Sequence, residues 1–421
     1  MFAQNKSKWE QVRLETILTQ ISNGITAEQI KDGGGIPVTR IETIAGDRID
    51  ASRTGFIRNV SPAEIDKFRL QAGDILISHI NSESQIGRSV VYTGKPDFLL
   101  HGMNLLRLKV DRSKVVPEFL NYELGYYRSI GKFIAIASRA VGQSSINQGK
   151  LKSLIVSVAP LSEQVAIVRI LGAIDKSIDL RKRELQLERE RKAALMQHLF
   201  TYGTRDELRK HTEIGEIPDG WSVLRLGVLC DIRYGLGQPP ELDEDGVPMI
   251  RATDIKGGKI VSQTVIRVKK GAIPKRKNAF LTKGDIIVVR SGAYTGDLSV
   301  YDGRWETAVA GYDLVASPTN SEIDSEYLAF YLLSNDSQRY FRSQRDRSAQ
   351  PHLNADQLRN AVVVIPPLAE QLEIASVLNA CERKIAILDQ ECRLLNELFR
   401  AMLEELMTGR LSVTPLIDAE A

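Results

Sequence analysis

The chain has 421 residues, 26% of them charged, with a formal net charge of +3 and a mean hydropathy of -0.17. No apolar run approaches the roughly 18 residues of a membrane span, the polar N-terminus has no signal-peptide core, and three cysteines, all in the second half, form no disulfide framework. The length suits two to three domains with cores of their own, and the cytoplasm is the expected compartment.

In chain order, the first predicted element is a globular domain over residues 1–160. It opens with Trp9 and Arg13-Leu14, passes Gly35-Ile36-Pro37 and Arg40, and reaches Leu70, Gly73 and Asp74. The Gly-Asp pair before Ile75-Leu76-Ile77 reads as a turn feeding a buried strand. The loop after it, residues 78–88, offers His79, Asn81, Ser84, Gln85 and Arg88. A second polar segment, residues 139–147, offers Arg139, Gln143 and Ser144. Amides match adenine and arginines match guanine at base edges, so these residues are candidates for DNA contact.

A long helix is predicted over 161–203, opened by Pro160-Leu161-Ser162-Glu163-Gln164. Its apolar seam is Val168, Leu171, Ile174 and Ile178, then Leu185, Leu195 and Leu199. Arg181, Glu188 and Lys192 fall where that seam should be apolar. The charged stretch 181–192 reads as a solvated helix supported by i,i+4 pairs, or as a polar seam that fixes register, or as a docking surface for another subunit. Residues 204–220 read as a linker.

The chain then repeats itself. Trp221, Arg225-Leu226, Gly246-Val247-Pro248, Arg251, Leu281, Gly284 and Asp285 return the anchors of the first domain over residues 221–367. Gly87, Gly94, Gln143 and Asn147 return as Gly296, Gly303, Gln350 and Asn354. The helix opening at Leu161 returns 207 positions later, at Leu368. A period this long is a duplicated domain-plus-helix, since solenoid units run about 20 to 50 residues. The matched residues are framework types, whereas the loops differ. That fits two related binding domains with different preferences, and it also fits plain drift after duplication.

Candidate contacts in the second domain are Arg251, the basic run Lys269, Lys270, Lys275, Arg276 and Lys277, the loop residues Arg290, Ser291 and Tyr294, and Arg345, Arg347, Gln350 and His352 beside Tyr340 and Phe341. Arginines mixed with aromatics and amides suit phosphate contacts combined with base readout. Arg40 and Arg251 occupy matching positions, which points to framework or phosphate roles. A second long helix is predicted over 368–412, with a tail at 413–421. Its seam is Ile374, Leu378, Cys381, Ile385, Leu388, Cys392, Leu395, Phe399, Met402 and Leu406, about five heptads in alternating steps of four and three. Each helix would be about 60 Å long. Antiparallel pairing would set the two domains at opposite ends, related by a pseudo-twofold axis.

Catalytic signatures are missing. There is no phosphate-binding loop, no Asn/Asp-Pro-Pro-Tyr/Phe motif of an amino-methyltransferase, no zinc-ligand spacing and no Gly-x-Ser-x-Gly elbow. The chain reads as non-catalytic and metal-free, although a nuclease with dispersed carboxylates stays open as an alternative.

The order and duplication of these features resemble the specificity subunit of type I restriction–modification systems. The carriers are the two Pro-Leu-x-Glu-Gln helix openings, the segment Ile217-Pro218-Asp219-Gly220-Trp221, and the helix exits Leu199-Phe200-Thr201 and Leu406-Met407-Thr408-Gly409. The resemblance spans about residues 9–412. It implies an α+β chain whose two target recognition domains read the halves of a split, asymmetric duplex DNA sequence. The paired helices would act as an antiparallel coiled-coil spacer. It further implies two modification subunits bringing S-adenosylmethionine and adenine-N6 methyltransfer, and restriction subunits bringing ATP and Mg, with no cofactor on this chain. A duplicated coiled-coil adaptor without DNA specificity is the rival reading, and the same fold in a system lacking a restriction subunit is a closer one.

Overall fold

The computed structural model describes residues 9–30, 33–46, 48–140, 143–205, 207–238, 240–274, 278–345 and 352–420. Two compact units emerge. One comprises Met1–Arg181 with Glu391–Ala421, the other Lys182–Gln390. Both boundaries fall inside long helices, so each unit owns a piece of each helix. The helices are Leu161–Tyr202 and Leu368–Met407, and among the described residues none is long and apolar enough to cross a membrane.

Each unit is built on a four-stranded antiparallel sheet of the same order. In the first unit the order is Leu18–Asn23, Leu105–Val110, Ile75–Ser78, Ser89–Val91. In the second it is Cys230–Tyr234, Leu314–Pro318, Ile286–Val288, Leu298–Val300. The strand after each Gly-Asp turn is buried along its whole length. The aspartate explains the turn: its carboxylate accepts the backbone N–H three residues earlier, Gln71 to Asp74 at 3.0 Å and Thr282 to Asp285 at 2.9 Å. Gly87 has φ 75°, and a Cβ there would lie 2.2 Å from the Phe133 ring. Gly296 has φ 93°, and a Cβ there would meet Gln338 Oε1 at 3.1 Å and Phe341 at an ordinary 3.5 Å. Both positions need glycine for backbone sign, and Gly87 needs it for space as well.

A short ladder closes each unit. Glu10–Arg13 pairs antiparallel with Ile155–Val158, and Ser222–Arg225 pairs with Val362–Ile365. The closing strand runs directly into a long helix, and the Glu-Gln pair of the helix opening locks that junction. Glu163 accepts the Trp9 indole N–H at 3.0 Å, and Glu370 accepts that of Trp221 at 2.9 Å. Gln164 donates to the carbonyls of Ala159 and Lys114 and accepts the Val116 N–H. Gln371 donates to Pro366 and Glu322 and accepts the Asp324 N–H. The repeated Trp, Glu and Gln are therefore one latch made twice.

The seam residues turn inward. Leu171, Ile178, Leu185, Leu199, Leu378, Cys381, Leu388, Cys392 and Leu406 are buried, and Ile174, Leu195, Ile385, Leu395, Phe399 and Met402 are half-buried. Within the first unit, Ile167 and Leu171 share a core with Leu403, Leu406 and Met407, and Arg181 pairs with Glu391 at 2.9 Å. Within the second, Lys192 pairs with Glu382, and Lys384 reaches Glu184 at 3.3 Å and Glu188 at 3.6 Å. Partner numbers fall as the first helix rises, so the pieces run antiparallel in that unit. Glu188 is buried in the seam and held by Arg191 at 2.5 Å. Polar seam and solvated face are both present here, because Leu180 and Leu187 on the outer side are exposed.

Two stretches differ from the sequence expectation. The linker 204–220 contains a hairpin, Arg209–Thr212 with Gly215–Pro218. The tail 413–421 contains the helix Thr414–Glu420, and Val413 and Ile417 pack on the first unit's core.

Candidate nucleic-acid interface

The two polar segments singled out in the first domain form one surface. The short strand Ile80–Asn81 pairs with Gln143–Ser145, which pairs in turn with Ser138–Ala140. Asn81 lies opposite Ser144, and the Ile146 N–H donates to the His79 carbonyl at 2.8 Å. The second unit repeats the arrangement in miniature. Ser291 bridges to His352, and the Leu353 N–H donates to the Arg290 carbonyl at 2.7 Å. His79 and Arg290 thus hold the same place on the two frames, one and two residues past the end of the buried strand. Asn147 and Asn354, repeated in sequence, cap the short helices that follow.

In the first unit, the Asn81 amide donates to the Ser78 hydroxyl at 3.1 Å and its oxygen accepts the Ser82 N–H. Ser84 touches Ser82 hydroxyl to hydroxyl, and its carbonyl accepts from Arg128. Gln85 and Arg88 are half-buried on the same loop, and Gln143 is exposed. Ser144 is 3% exposed, which removes it from the set of surface contacts: its side chain faces inward from the pleat. The Arg139 side chain lies outside the described residues.

In the second unit, Arg251 is committed elsewhere. Its guanidinium donates to Asp254 at 3.1 Å and to the Thr264 carbonyl at 2.8 Å, which makes it a brace of this turn. Lys269 pairs with Glu241 at 3.1 Å, Lys270 is exposed on a short 3-10 turn, and Tyr294 is exposed beside Ser291. Lys275, Arg276, Lys277, Arg347 and Gln350 lie outside the described residues, as does the Arg345 side chain. His352 is half-buried.

Sequence reasoning missed the partners of Arg290. Its guanidinium sits 4.9 Å from the Tyr234 ring centroid and 4.5 Å from that of Tyr312. Both rings are about half exposed, at 45% and 51%. The Tyr234 hydroxyl is fixed by the Ala355 N–H at 3.1 Å. Behind the cluster, buried Asp313 accepts the Arg290 N–H at 3.2 Å, and burial pushes its carboxyl up to about 6. The first unit has other side chains at these places. Met103 and Asn104 follow Gly102 as Tyr312 and Asp313 follow Gly311, and Asn23 precedes Gly24 as Tyr234 precedes Gly235. Each Gly pair is a close backbone crossing, with a Cβ on Gly24 or Gly235 meeting a carbonyl at about 2 Å. These glycine pairs are the alignment marks by which the differing neighbours become visible.

The frames therefore present unlike chemistry. Burial lowers the His79 pKa, which favours the neutral imidazole, and its Nδ1 is buried without a hydrogen-bond partner. The second unit presents a cation between two aromatic faces. Among the described residues, no group of His, Cys, Asp and Glu is placed to hold a metal ion, and Cys230, Cys381 and Cys392 are buried thiols.

Comparison with known proteins agrees with this architecture. The model of the type I restriction modification DNA specificity domain matches residues 6–189 and again 218–397. A Methanocaldococcus jannaschii protein named for the MjaX type I restriction enzyme specificity subunit is 34% identical over 96% of this chain and 94% of its own length. The MjaVIII specificity subunit of the same organism is 26% identical over 77% of each chain. The crystal structure of the type I restriction-modification S subunit from M. genitalium superposes with a TM-score of 0.61 at 15% identity, covering 96% of this chain and 97% of that one.

Proposed function

From the premise that the chain belongs to the type I restriction–modification DNA specificity family, we propose that its two units read the two halves of a split, asymmetric duplex target. The observation that carries this is the pair of matched frames with unlike side chains at matching loop positions: His79 against Arg290, Met103 and Asn104 against Tyr312 and Asp313. A frame that repeats sets backbone geometry; a loop that differs sets preference. Asn81, Ser84, Gln85, Arg88 and Gln143 contribute in the first unit, and Arg290, Ser291, Tyr294 and His352 in the second. Lys269 and Lys270 suit phosphate contacts.

In this reading the chain is non-catalytic and works in the cytoplasm. It directs two modification subunits that carry S-adenosylmethionine and methylate adenine N6, and restriction subunits that use ATP and Mg. The test exchanges residues 9–160 for the corresponding domain of another family member and maps adenine methylation across a genome. One half-site should change and the other should stay. A change in both halves refutes the modular reading. The rival adaptor is separated by titrating the full chain with random duplex DNA over a salt series. A specificity subunit loses affinity steeply as salt rises, and an adaptor binds no DNA at any salt.

A further inference from the structure

Several arginines of the second unit are tied to acceptors within the fold. Arg233 donates to the carbonyls of Asn278 and Phe280 and to Asp285. Arg251 is tied to Asp254 and Thr264, Arg304 to Asp302, Ile260 and Ser262, and Arg359 to Asp356 and Ile232. Arg290 differs. Its Nε is buried without a hydrogen-bond partner, and the guanidinium has aromatic rings on it instead of acceptors. Its backbone is fixed on both sides, the N–H by Asp313 and the carbonyl by Leu353.

That combination is costly unless something completes it. A buried donor without an acceptor destabilises the free protein, and two half-exposed tyrosine rings contribute little to a core. Two ring centroids, 4.9 and 4.5 Å from its carbon, restrict the guanidinium and leave its N–H edge as the hydrogen-bonding feature. The terminal N–H groups of the guanidinium form a planar fork, positioned in advance, that matches two acceptors in one plane. In duplex DNA that pattern is the O6 and N7 of guanine in the major groove.

We infer that Arg290, held between Tyr234 and Tyr312, is the guanine-reading residue of the second unit and makes one G·C pair obligatory in the half-site that unit recognises. The inference rests on the proposed reading of the units as recognition domains. It also makes the target asymmetric in a stated way. The matching position of the first unit is His79, which has no guanidinium fork, so that half-site lacks the two-point guanine contact from this place on the frame. A phosphate contact by Arg290 is the competing role, and it predicts something different: a loss of affinity spread evenly over all sequences.

The test uses the full chain assembled with its modification subunits. Methylated motifs are mapped for the wild type and for Arg290→Lys and Arg290→Gln, with a melting curve for each. The expected result is loss of the preference for guanine at a single position of one half-site, by about 5- to 150-fold, with the other half-site unchanged. Arg290→Lys keeps the stem and the charge but not the fork, so it carries the test if Arg290→Gln does not fold. Three results overturn the inference: a motif unchanged in Arg290→Lys, a uniform drop at all sites, or a silent variant that melts like the wild type. A wild-type complex with no bipartite motif at all would instead defeat the underlying reading.

Discussion

Replacing Gln371 by alanine tests whether the repeated Glu-Gln pair is a structural latch. The Gln371 side chain is 1% exposed. It donates to the Pro366 carbonyl at 2.9 Å and to the Glu322 carbonyl at 3.0 Å, and it accepts the Asp324 N–H at 2.9 Å. Alanine leaves three backbone groups without that partner in a space too tight for free exchange with water. An orphaned buried group costs about 1–3 kcal/mol, with carbonyls at the low end. The expected total is about 3 kcal/mol. For a unit of this size that is a fall of about 6–12 °C in Tm. Differential scanning calorimetry of the purified chain reads it directly. Gln164→Ala removes the same three bonds from the first unit and should cost the same. A shift below about 2 °C in both variants would refute the latch, since it would mean that water or neighbouring groups satisfy these atoms at no cost.

Three other outcomes follow from the packing. Glu188→Leu makes the buried polar step of the first helix apolar while leaving Arg191 and Lys384, both about half exposed, to water; unfolding in urea should show stability unchanged or raised by about 1 kcal/mol, and a loss of more than that would show the ion cluster to be stabilising. Asp313 has its pKa raised by burial from 3.8 to about 6, so the folded state binds the proton more tightly than the unfolded chain. Its contribution is therefore present in full below about pH 4 and disappears as pH rises through about 6, up to about 3 kcal/mol. Urea midpoints from pH 4 to 7 should show this slope in the wild type and not in Asp313→Asn, and equal slopes would contradict the assignment. Gly87→Ala places a methyl against Phe133 at a positive φ and should lower stability by about 2–4 kcal/mol, measured by the same unfolding experiment; a neutral result would mean that Phe133 moves freely.

The long helices were readable because their signal is periodic and local: residues four and three apart share a face, so Leu378, Cys381, Ile385 and Leu388 announce the seam without knowledge of the partner. The duplicated frame was readable because the chain supplies its own second copy. The latch was not, although each of its members was noticed. Trp9 and Glu163 are 154 positions apart, and nothing in a list of matching residues says which hydrogen-bonds to which. The arginine site was half readable. Arg290 stood in a loop next to a buried strand, but Tyr234 and Tyr312 come from two other segments, and only the sheet order places them beside it. Ser144 and Arg251 misled for the opposite reason: residue type suited DNA, whereas the pleat in one case and Asp254 in the other had already claimed the side chain.

The first unit's core includes Leu403, Leu406, Met407 and Val413 alongside Leu14, Phe119 and Leu171. A ribosome delivers the chain from its N-terminus at about 5–20 residues per second, so the first half waits for residues 391–413 to be made before its interior is complete. Until then the core that Ile167 and Leu171 share lacks Leu403, Leu406, Met407 and Val413 and stays open on that side. A polypeptide interrupted after residue 390 would leave the first half permanently in that open state, while the second half, drawn wholly from residues 182–390, would already hold everything its interior needs. Truncation after residue 390 should therefore damage the part of the protein made first.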